Sequence, residues 1–452
     1  MFDLIVIGAG PGGYEAAAHA GKMGKQVAVI ERGPLGGVCL NAGCIPTKAL
    51  LRSSRLFAEC RKAAAYGVHV TDARFDLPEV IERKNRIVAT LTKNVEGLLK
   101  RAGVEVIRGQ GRLVSRNTVQ VGAESYAAKN ILIATGSRPA VPPISGIESE
   151  RVLDSTALLD LKEAPRKLAI IGGGYIGLEF AGFFSAIGTE VTVLEMLPQV
   201  ASGTDGEIAR RLVDALRKDG VEFKTSCRVT GIEDGVVRFE DSGGSRAGIS
   251  ADRILNATGR APVLDGLGLE ANAVDFDRRG IKTSDQGRTN VPGLWACGDV
   301  TGRRLLAHAA TREGLVAVNN MFGRRDRVRY DAIPSVIYTH PEVASVGRTE
   351  EELKAQGIEY RKSVVPMTVA GRFLVENEGG PEGTPGLVKV LAGARYGEIL
   401  GVHAVGDPAS EFIVAAAAMI ETEMCASDAA GLVFPHPTVS EALKEAILRL
   451  TQ

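Results

Sequence analysis

The chain has 452 residues, of which 45% are hydrophobic and 24% are charged, the composition of a globular protein. Its 54 basic and 54 acidic residues cancel, so charge gives no reason to expect a nucleic acid or an anionic membrane as partner. The length exceeds that of one ordinary hydrophobic core and predicts two to four domains.

The N-terminus opens directly into the apolar segment FDLIVIGAGPGG, without the cationic leader and cleavage site of a signal peptide. No apolar run reaches the roughly 18 residues that a membrane helix needs. Six cysteines in so long a chain do not make a disulfide scaffold. A reducing cytoplasm is therefore the expected location.

Two segments in the first half of the chain match each other at an offset of 164 residues. They read DLIVIGAGPGGYEAAAHAGKMGKQVAVIER and KLAIIGGGYIGLEFAGFFSAIGTEVTVLEM. Each has the pattern strand, glycine turn, helix and strand, and Glu31 or Glu195 ends the second strand. A G-x-G-x-x-G turn in this context holds a dinucleotide pyrophosphate at the helix N-terminus, and the acid accepts hydrogen bonds from the ribose. The repeat predicts two dinucleotide sites.

The residues around the second acid indicate which dinucleotide that site takes. Glu195 would clash with a 2′-phosphate, and no arginine follows it before Arg210. The second site is therefore expected to prefer NAD over NADP. The spacing of the first site does not identify its ligand.

A weaker echo links ILIATGSRP (131–139) with ILNATGRAP (254–262), each an apolar strand that ends in Thr-Gly. In TNVPGLWACGDVTG, residues 295–297 are predicted to form a strand with Gly298-Asp299 as the turn after it. Asp299 is then placed to bind a cofactor hydroxyl, although an ordinary turn aspartate is the alternative. From about residue 332 the pattern changes to that of an α+β module without a nucleotide fingerprint.

Cys39 and Cys44 have three possible interpretations: a zinc site, a structural disulfide or a redox-active dithiol. No histidine lies near them in the sequence, and a structural disulfide closing so short a loop stabilises little. A redox-active pair remains. On an ideal helix residues five apart lie about 7.5 Å apart along the axis, too far for a disulfide. The segment is therefore expected either to be distorted or to contain the start of a helix, and Gly43 and Pro46 permit both. Cys44 near that helix N-terminus would form a stabilised thiolate.

These features together resemble a known family. The stretches GGVCLNAGCIPTKAL (36–50) and HPTVSE (436–441) are similar to those of the pyridine nucleotide-disulfide oxidoreductases, above all the enzymes that oxidise dihydrolipoamide. The resemblance covers essentially the whole chain. It implies an α/β fold with two Rossmann-like dinucleotide-binding domains and a C-terminal α+β dimerisation domain. The implied domains are, in order, FAD-binding (1–148), NAD-binding (149–263), central, completing the FAD site (264–331), and interface (332–452).

The resemblance also implies the cofactor contacts. The FAD residues would be Gly8, Gly10, Gly13, Glu31, Arg32, Lys48, Thr135, Gly136, Asp299 and Ala307. The NAD residues would be Gly172, Gly174, Tyr175, Ile176, Gly177, Glu195, Val229 and Gly259. No metal is implied.

The same resemblance implies the catalytic residues. Cys39 would exchange with the substrate and Cys44 would face the flavin, where Lys48 would pair with Glu179. His436 and Glu441 would form an acid–base pair that acts across a homodimer interface on the other subunit's cysteines. Taken alone, His436 would more often be a capping or surface residue, and Glu441 an ordinary first-turn acid.

The implied reaction is the oxidation of protein-bound dihydrolipoamide to lipoamide with reduction of NAD+ to NADH. The implied partner is the lipoyl domain of a 2-oxoacid dehydrogenase complex or the lipoyl carrier of a glycine cleavage complex. A glutathione-type or mercuric reductase is the alternative enzyme, and a flavin-binding scaffold without turnover is the alternative class. Three departures from the family pattern are Val38, Cys297 and the pair Phe434-Pro435, of which the last lies close to His436.

Overall fold

The computed structural model describes residues 1–377 and 386–452. The strands, in chain order, are β1 (Phe2–Ile7), β2 (Val27–Glu31), β3 (Glu105–Arg108), β4 (Gly111–Ser115), β5 (Thr118–Val121), β6 (Glu124–Ile133), β7 (Ser137–Pro139), β8 (Val152–Leu153), β9 (Lys167–Ile171), β10 (Glu190–Leu194), β11 (Val221–Lys224), β12 (Arg228–Glu233), β13 (Val236–Glu240), β14 (Arg246–Ser250), β15 (Arg253–Asn256), β16 (Arg260–Pro262), β17 (Phe276–Asp277), β18 (Gly280–Ile281), β19 (Leu294–Ala296), β20 (Ser335–Ile337), β21 (Val343–Gly347), β22 (Tyr360–Pro366), β23 (Leu387–Gly393) and β24 (Ile399–Val405). The α-helices are α1 (Pro11–Lys22), α2 (Gly37–Ala42), α3 (Cys44–Lys62), α4 (Leu77–Arg101), α5 (Ser155–Leu158), α6 (Tyr175–Ala186), α7 (Gly206–Lys218), α8 (Ala307–Met321), α9 (Glu350–Ala355), α10 (Gly371–Glu376), α11 (Ala409–Glu421), α12 (Ala426–Ala430) and α13 (Glu441–Leu450). Short 3-10 helices lie at Ala63–Tyr66, Glu270–Asn272, Gly298–Thr301, Tyr330–Ala332 and Met367–Val369.

The chain forms two compact units, and each is built from three separate stretches of sequence. The first unit contains Met1–Ala49, Glu79–Ala140 and Gly259–Val328. The second unit contains Leu50–Pro78, Val141–Thr258 and Arg329–Gln452. Each unit carries one of the two glycine repeats.

The first unit is built on a mixed sheet with the order β3-β2-β1-β6-β5-β4, and β19 pairs with β6. The strands β3, β2, β1, β6 and β19 run parallel, whereas β4, β5 and the first part of β6 form an antiparallel meander. Residues 4–7 of the central strand β1 are all buried, which is typical of a parallel strand covered on both faces.

Two glycines let helices α1 and α8 cross closely on this sheet. A Cβ on Gly314 would lie 2.5 Å from the backbone oxygen of Gly12, and one on Gly12 would lie 2.9 Å from that of Ala310. Neither position accepts a side chain without displacing backbone. The close crossing holds the start of α8, at Ala307, beside the first glycine turn.

The second unit contains a parallel sheet with the order β11-β10-β9-β15-β8. The first four strands of this order match β3-β2-β1-β6 of the first unit, whereas the strand on the far side of the fourth comes last in the chain in the first unit (β19) and first in the second (β8). The helix after the first strand spans residues 11–22 in one repeat and 175–186 in the other, the same offset that the sequence shows. The predicted α/β fold with two Rossmann-like domains is confirmed.

The C-terminal part of the second unit is an antiparallel sheet, β20-β21-β24-β23-β22, with helices packed on one face. Ala344, Val390 and Ala404 belong to the hydrophobic core under α11 and α13. The opposite face carries Ser345, His403 and Lys389, which lie side by side in register. The predicted α+β module is therefore present, with an apolar face under the helices and an opposite face on which these three polar side chains lie among buried apolar ones such as Val343 and Val405.

The cysteines outside the pair do not all have the same environment. Cys227 and Cys297 are buried, as a small apolar side chain would be, whereas Cys60 and Cys425 are only partly buried. Across the two described ranges, no helix is both long and apolar enough to cross a membrane.

Candidate active site

Cys39 and Cys44 form a disulfide in the first unit, with their Cα atoms 4.8 Å apart. Helix α2 ends at Ala42, Gly43 leaves the helical region with φ −151° and ψ −109°, and α3 begins at Cys44. The helix break brings the two Cα atoms within disulfide range, as predicted. Pro46 is tolerated because it lies in the first turn of α3, where backbone N–H groups have no intrahelical partner.

One side chain between the two cysteines, Asn41, and one after them, Thr47, hold the backbone of this segment in place. Asn41 donates from Nδ2 to the backbone oxygens of Leu35 and Gly37, both at 2.9 Å. Thr47 donates from Oγ1 to the oxygen of Gly43 at 2.7 Å, which caps the break between the helices. The Cys44 sulfur therefore lies at the N-terminal, electropositive end of a 19-residue helix.

The first glycine turn has the geometry that a bound pyrophosphate requires. Gly8 has φ +102°, and a Cβ there would lie 2.4 Å from the oxygen of Ala134. A Cβ on Gly13 would lie 1.9 Å from the oxygen of Gly8, so α1 packs directly on the turn. Glu31 accepts hydrogen bonds from the N–H groups of Ala9 at 2.7 Å and Gly33 at 2.8 Å.

The second turn reproduces these contacts almost atom for atom within the second unit. Gly172 has φ +108°, with the oxygen of Ala257 at 2.4 Å from its hypothetical Cβ. Glu195 accepts from the N–H groups of Gly173 at 2.7 Å and Leu197 at 2.8 Å. The sequence repeat is therefore also a repeat of hydrogen bonds.

Both turns leave open space where the phosphates of a dinucleotide would lie. A Cβ on Gly174 would meet nothing within 4 Å, and one on Gly10 would meet only the Cα of Gly37 at 4.0 Å. Each glycine precedes the first residue of a helix and therefore faces its free N–H groups. The residues of both turns fit a dinucleotide.

Asp299 lies at the C-terminal end of β19 in the first unit. Burial raises the pKa of its carboxyl above the ordinary value, against the hydrogen bond from Ser137 Oγ and the nearby Arg260, which lower it. A carboxyl whose partners do not fully compensate its burial fits an additional hydroxyl donor, such as a cofactor ribityl group. The sequence identified Asp299 but missed Ser137 and Arg260, although each of them directly follows one of the two Thr-Gly pairs that end similar strands.

His436 and Glu441 meet in the second unit, where the His436 Nδ1 lies 2.9 Å from Oε1 of Glu441. The N–H of Thr438 also donates to Oε2 of Glu441 at 3.0 Å. The hydrogen bond from His436 is the main cause of a Glu441 pKa below the ordinary value. Because the ionised carboxylate only accepts, Nδ1 carries the hydrogen and Nε2 is left as the acceptor.

The imidazole of His436 is 78% exposed, so Nε2 can reach a proton donor that approaches from outside. The geometry is that of an oriented general base. The fold thus brings the predicted pair together.

The other predicted residues lie in helices, strands and turns of both units. Glu179 is buried in α6 and accepts from the N–H of Tyr338 at 3.0 Å. Lys48 lies one turn after Cys44 in α3, Thr135 donates to the oxygen of Val263, and Arg32 is exposed just after β2. Gly136 and Gly259 each have a positive φ. The first three residues of α6 are Tyr175, Ile176 and Gly177. Ala307 begins α8, and Val229 lies in β12.

A second histidine–carboxylate pair was not predicted. His340 Nδ1 lies 2.5 Å from Oδ2 of Asp407, and Arg55 Nη1 lies 3.5 Å from Oδ1. These residues are far apart in sequence and share no spacing pattern, so only a His-Pro dipeptide like that of His436 hinted at the pair. Among the described residues no group of three or more His, Cys, Asp or Glu side chains is arranged to hold a metal ion.

Two dinucleotide turns together with a disulfide at a helix start define a nucleotide-dependent disulfide oxidoreductase. Comparison with known proteins gives the same class. Residues 2–314 match the pyridine nucleotide-disulphide oxidoreductase family, and residues 333–447 match the dimerisation domain of that family. The chain belongs to the pyridine nucleotide-disulphide oxidoreductases, whose dihydrolipoyl dehydrogenases use FAD and NAD.

Three relatives illustrate the similarity. Dihydrolipoyl dehydrogenase 3 of Pseudomonas aeruginosa is 41% identical over 99% of this chain and 97% of its own length. The mitochondrial dihydrolipoyl dehydrogenase 1 of Arabidopsis thaliana is 40% identical over 99% of this chain and 90% of its own length. Among solved structures, LpdA of Mycobacterium tuberculosis superimposes with a TM-score of 0.90 at 27% identity, covering 99% of both chains.

Proposed function

We propose that this chain is an FAD-dependent dihydrolipoyl dehydrogenase, which oxidises protein-bound dihydrolipoamide to lipoamide and reduces NAD+ to NADH. The observation that carries this proposal is the Cys39–Cys44 disulfide at the N-terminus of α3. It occurs in a chain with two dinucleotide turns and about 40% identity to dihydrolipoyl dehydrogenases over nearly its whole length.

The glycine turn of the first unit would hold FAD, and the glycine turn of the second unit would hold NAD. FAD would lie on Gly8, Gly10, Gly13 and Glu31, with Asp299 at its ribityl hydroxyls. NAD would lie on Gly172, Gly174 and Gly177, with Glu195 at its ribose. When bound, these cofactors would supply the redox chemistry, the transfer of an electron pair between the reduced cysteine pair and NAD+.

The residues of the chain carry out the thiol–disulfide exchange. A substrate thiol loses its proton to Nε2 of His436, and the resulting thiolate attacks the Cys39 sulfur. The Cys39–Cys44 bond breaks, and Cys44 leaves as a thiolate that the N-terminus of α3 stabilises. Glu441 keeps the imidazole in the tautomer that accepts this proton and stabilises the imidazolium that forms.

The substrate's second thiol then attacks the substrate sulfur of the mixed disulfide and forms the S–S bond of lipoamide. Cys39 leaves with the proton held on the imidazolium of His436, and the freed imidazole takes up the proton of the second thiol. The substrate has lost two electrons and the cysteine pair has gained them. Lys48 and Glu179 would orient the cofactor side of Cys44.

We also propose that the enzyme is a homodimer in which His436 serves the cysteines of the other subunit. A groove of about 670 Å³ supports this arrangement, since its lining is mostly apolar and lies within the region that matches the family's dimerisation domain. It runs between α11 and the segment before His436, and Val433 at its edge is 93% exposed in the single chain. A second copy would cover that surface.

The four functional regions would be 1–148 for FAD, 149–263 for NAD, 264–331 to complete the FAD site and 332–452 for dimerisation. The partner would be the lipoyl domain or lipoyl carrier of a 2-oxoacid dehydrogenase or glycine cleavage complex, in the cytoplasm. Phe434 and Pro435 would border its entry to the disulfide.

Steady-state assays of the purified flavoprotein test the proposed reaction. We expect NADH formation from dihydrolipoamide and NAD+. The kcat/KM of this reaction should be at least about a hundredfold above that for the NADPH-dependent reduction of glutathione disulfide or mercuric ion. Preference for glutathione disulfide and NADPH would contradict the proposal, as would the absence of NADH formation by FAD-loaded protein.

Glu195 is expected to determine the choice of NAD+ over NADP+. The neighbouring strand carries Lys224, but its Nζ lies 2.5 Å from Glu222, so this cation is already paired. Glu195→Ala should raise the KM for NAD+ about tenfold, because the ribose loses its acceptor, and should reduce the preference for NAD+ over NADP+ by a similar factor. Glu190→Ala is the control, because Glu190 begins β10, the strand that Glu195 follows, and is exposed. An unchanged preference in Glu195→Ala would show that the ribose is recognised elsewhere.

A further inference from the structure

A lysine lies inside the C-terminal sheet of the second unit, where an apolar side chain would be expected. Lys389 is in β23, a strand whose seven residues are all buried, and it is only 2% exposed. Its Nζ lies 2.5 Å from Oε2 of Glu350 and 2.9 Å from Oδ2 of Asp205. A buried cation of this kind is stable only when anions surround it closely.

Asp205 joins three elements at one point. It is fully buried and caps α7 by accepting the N–H of Glu207 at 3.1 Å. Its other oxygen accepts the N–H of Glu350, at the start of α9, at 3.3 Å. Burial works to raise the pKa of Asp205, but the hydrogen bond from Lys389 offsets it, and the pKa lies below the ordinary value. Asp205 is therefore an ionised carboxylate fixed by two helix N-termini and one buried ammonium.

The segment before Asp205 runs directly to the second glycine turn. Ala201 donates its N–H to the oxygen of Gly173 at 2.7 Å, and Thr204 donates to the oxygen of Ala201 at 2.9 Å. Val200 fills the space above the turn, since a Cβ on Gly173 would lie 2.8 Å from its Cγ1. Gly173 in turn donates its own N–H to Glu195. A short chain of contacts thus connects the buried ion cluster to both the turn and the ribose acid.

This segment needs an anchor because its backbone is strained. Ala201 has φ +51°, a left-handed conformation that a non-glycine residue keeps only when its surroundings enforce it. It is held at one end by Gly173 and at the other, four residues later, by Asp205. Without the Asp205 anchor, Ala201 would relax and the segment would withdraw from Gly173.

We propose that Asp205 and Lys389 are positioning residues for NAD+: they fix the segment 196–205 against the second glycine turn and thereby set the affinity for the nucleotide. The inference rests on the proposed function, in which this turn holds NAD+. It makes the C-terminal sheet part of the support of the nucleotide site, through an ion pair whose partners are 184 residues apart in the chain.

The test compares four variants of the full-length FAD holoenzyme. Asp205→Asn removes the charge but keeps a good helix cap, and Lys389→Met removes the cation at similar volume. The double variant leaves neither partner charged, and Glu350 keeps Lys354 and Lys362 as partners. Lys362→Met is the matched control, because Lys362 binds the same Glu350 at 3.1 Å but is half exposed.

Two measurements separate positioning from mere stability. We expect the KM for NAD+, and the Kd for ADP-ribose measured by titration, to rise roughly five- to tenfold in both single variants and in the double variant. The anaerobic rate of flavin reduction by dihydrolipoamide should stay within about twofold of wild type, since that half-reaction needs no NAD+. Lys362→Met should match the wild type in both.

Three results would overturn the proposal. These are an unchanged KM and Kd in the single variants, equal losses in both half-reactions, or a double variant that binds ADP-ribose like the wild type. If Lys389→Met folds poorly, Asp205→Asn still decides the question, because the ADP-ribose titration requires no turnover. A failure of the proposed function itself would appear instead as absence of NADH formation by the wild type.

Discussion

Replacing Cys44 by serine is expected to abolish the oxidation of dihydrolipoamide, with a loss of more than about a thousandfold in kcat, while FAD stays bound. The disulfide is the electron acceptor in the proposed exchange, and a serine oxygen cannot form or release an S–S bond. Absorbance spectroscopy checks the bound flavin. The long-wavelength band expected of a thiolate beside flavin on anaerobic reduction should disappear in the same variant.

The NADH-dependent reduction of an artificial one-electron acceptor should survive in Cys44→Ser, because that reaction bypasses the cysteines. Cys60→Ser is the matched control: Cys60 lies on the same helix, α3, but forms no disulfide. A persistent band would show that Cys44 is not the thiol beside the flavin. If Cys44→Ser also lost the NADH-dependent reduction of the artificial acceptor, the substitution would have damaged the whole protein and not only electron transfer through the cysteine pair.

Replacing His436 by glutamine should slow flavin reduction by dihydrolipoamide about 10²- to 10⁴-fold, the usual contribution of a positioned general base. Glutamine has similar size and can still hydrogen-bond to Glu441, but it cannot accept and return the thiol proton. Stopped-flow reduction by dihydrolipoamide and by NADH, measured separately, checks the prediction. Reduction by NADH should remain within about threefold of wild type, because it involves no thiol deprotonation.

His340 provides an unusually close control for this variant. Like His436 it precedes a proline, and its Nδ1 also contacts a carboxylate, that of Asp407, at 2.5 Å. His340→Gln should leave both half-reactions near wild type. Equal slowing by dihydrolipoamide and NADH in His436→Gln would indicate structural damage, and an equal effect of His340→Gln would show that the fold contains a second base that matters.

The two nucleotide turns were predictable from sequence because their requirements are local. Gly8 and Gly172 each need a positive φ and each leave no room for a Cβ, so glycine is required at both positions whatever surrounds them. The acids follow at a distance set by one helix and one strand. An interruption of the helix between the two cysteines was predictable for the same reason. Gly43 can leave the helical conformation, and on one continuous helix the two cysteines could not meet.

The His436–Glu441 pair was recognised through resemblance, and the fold then showed its hydrogen bonds. Its five-residue spacing alone was equally compatible with a capping histidine and a first-turn acid. The partners of Asp299 were missed because Ser137 lies 162 residues away, and no periodicity links the two positions.

The sequence alone therefore established the two nucleotide turns, their helices and the broken helix at the cysteine pair, since each depends on backbone conformation within about thirty residues. The fold was needed to bring Asp205 to Lys389, and His340 to Asp407. Such pairs form where strands and helices distant in the chain pack together, and their energy comes from burial and from charges that must be matched locally in space. Nothing in the order of residues along one segment records which distant side chain will satisfy that requirement.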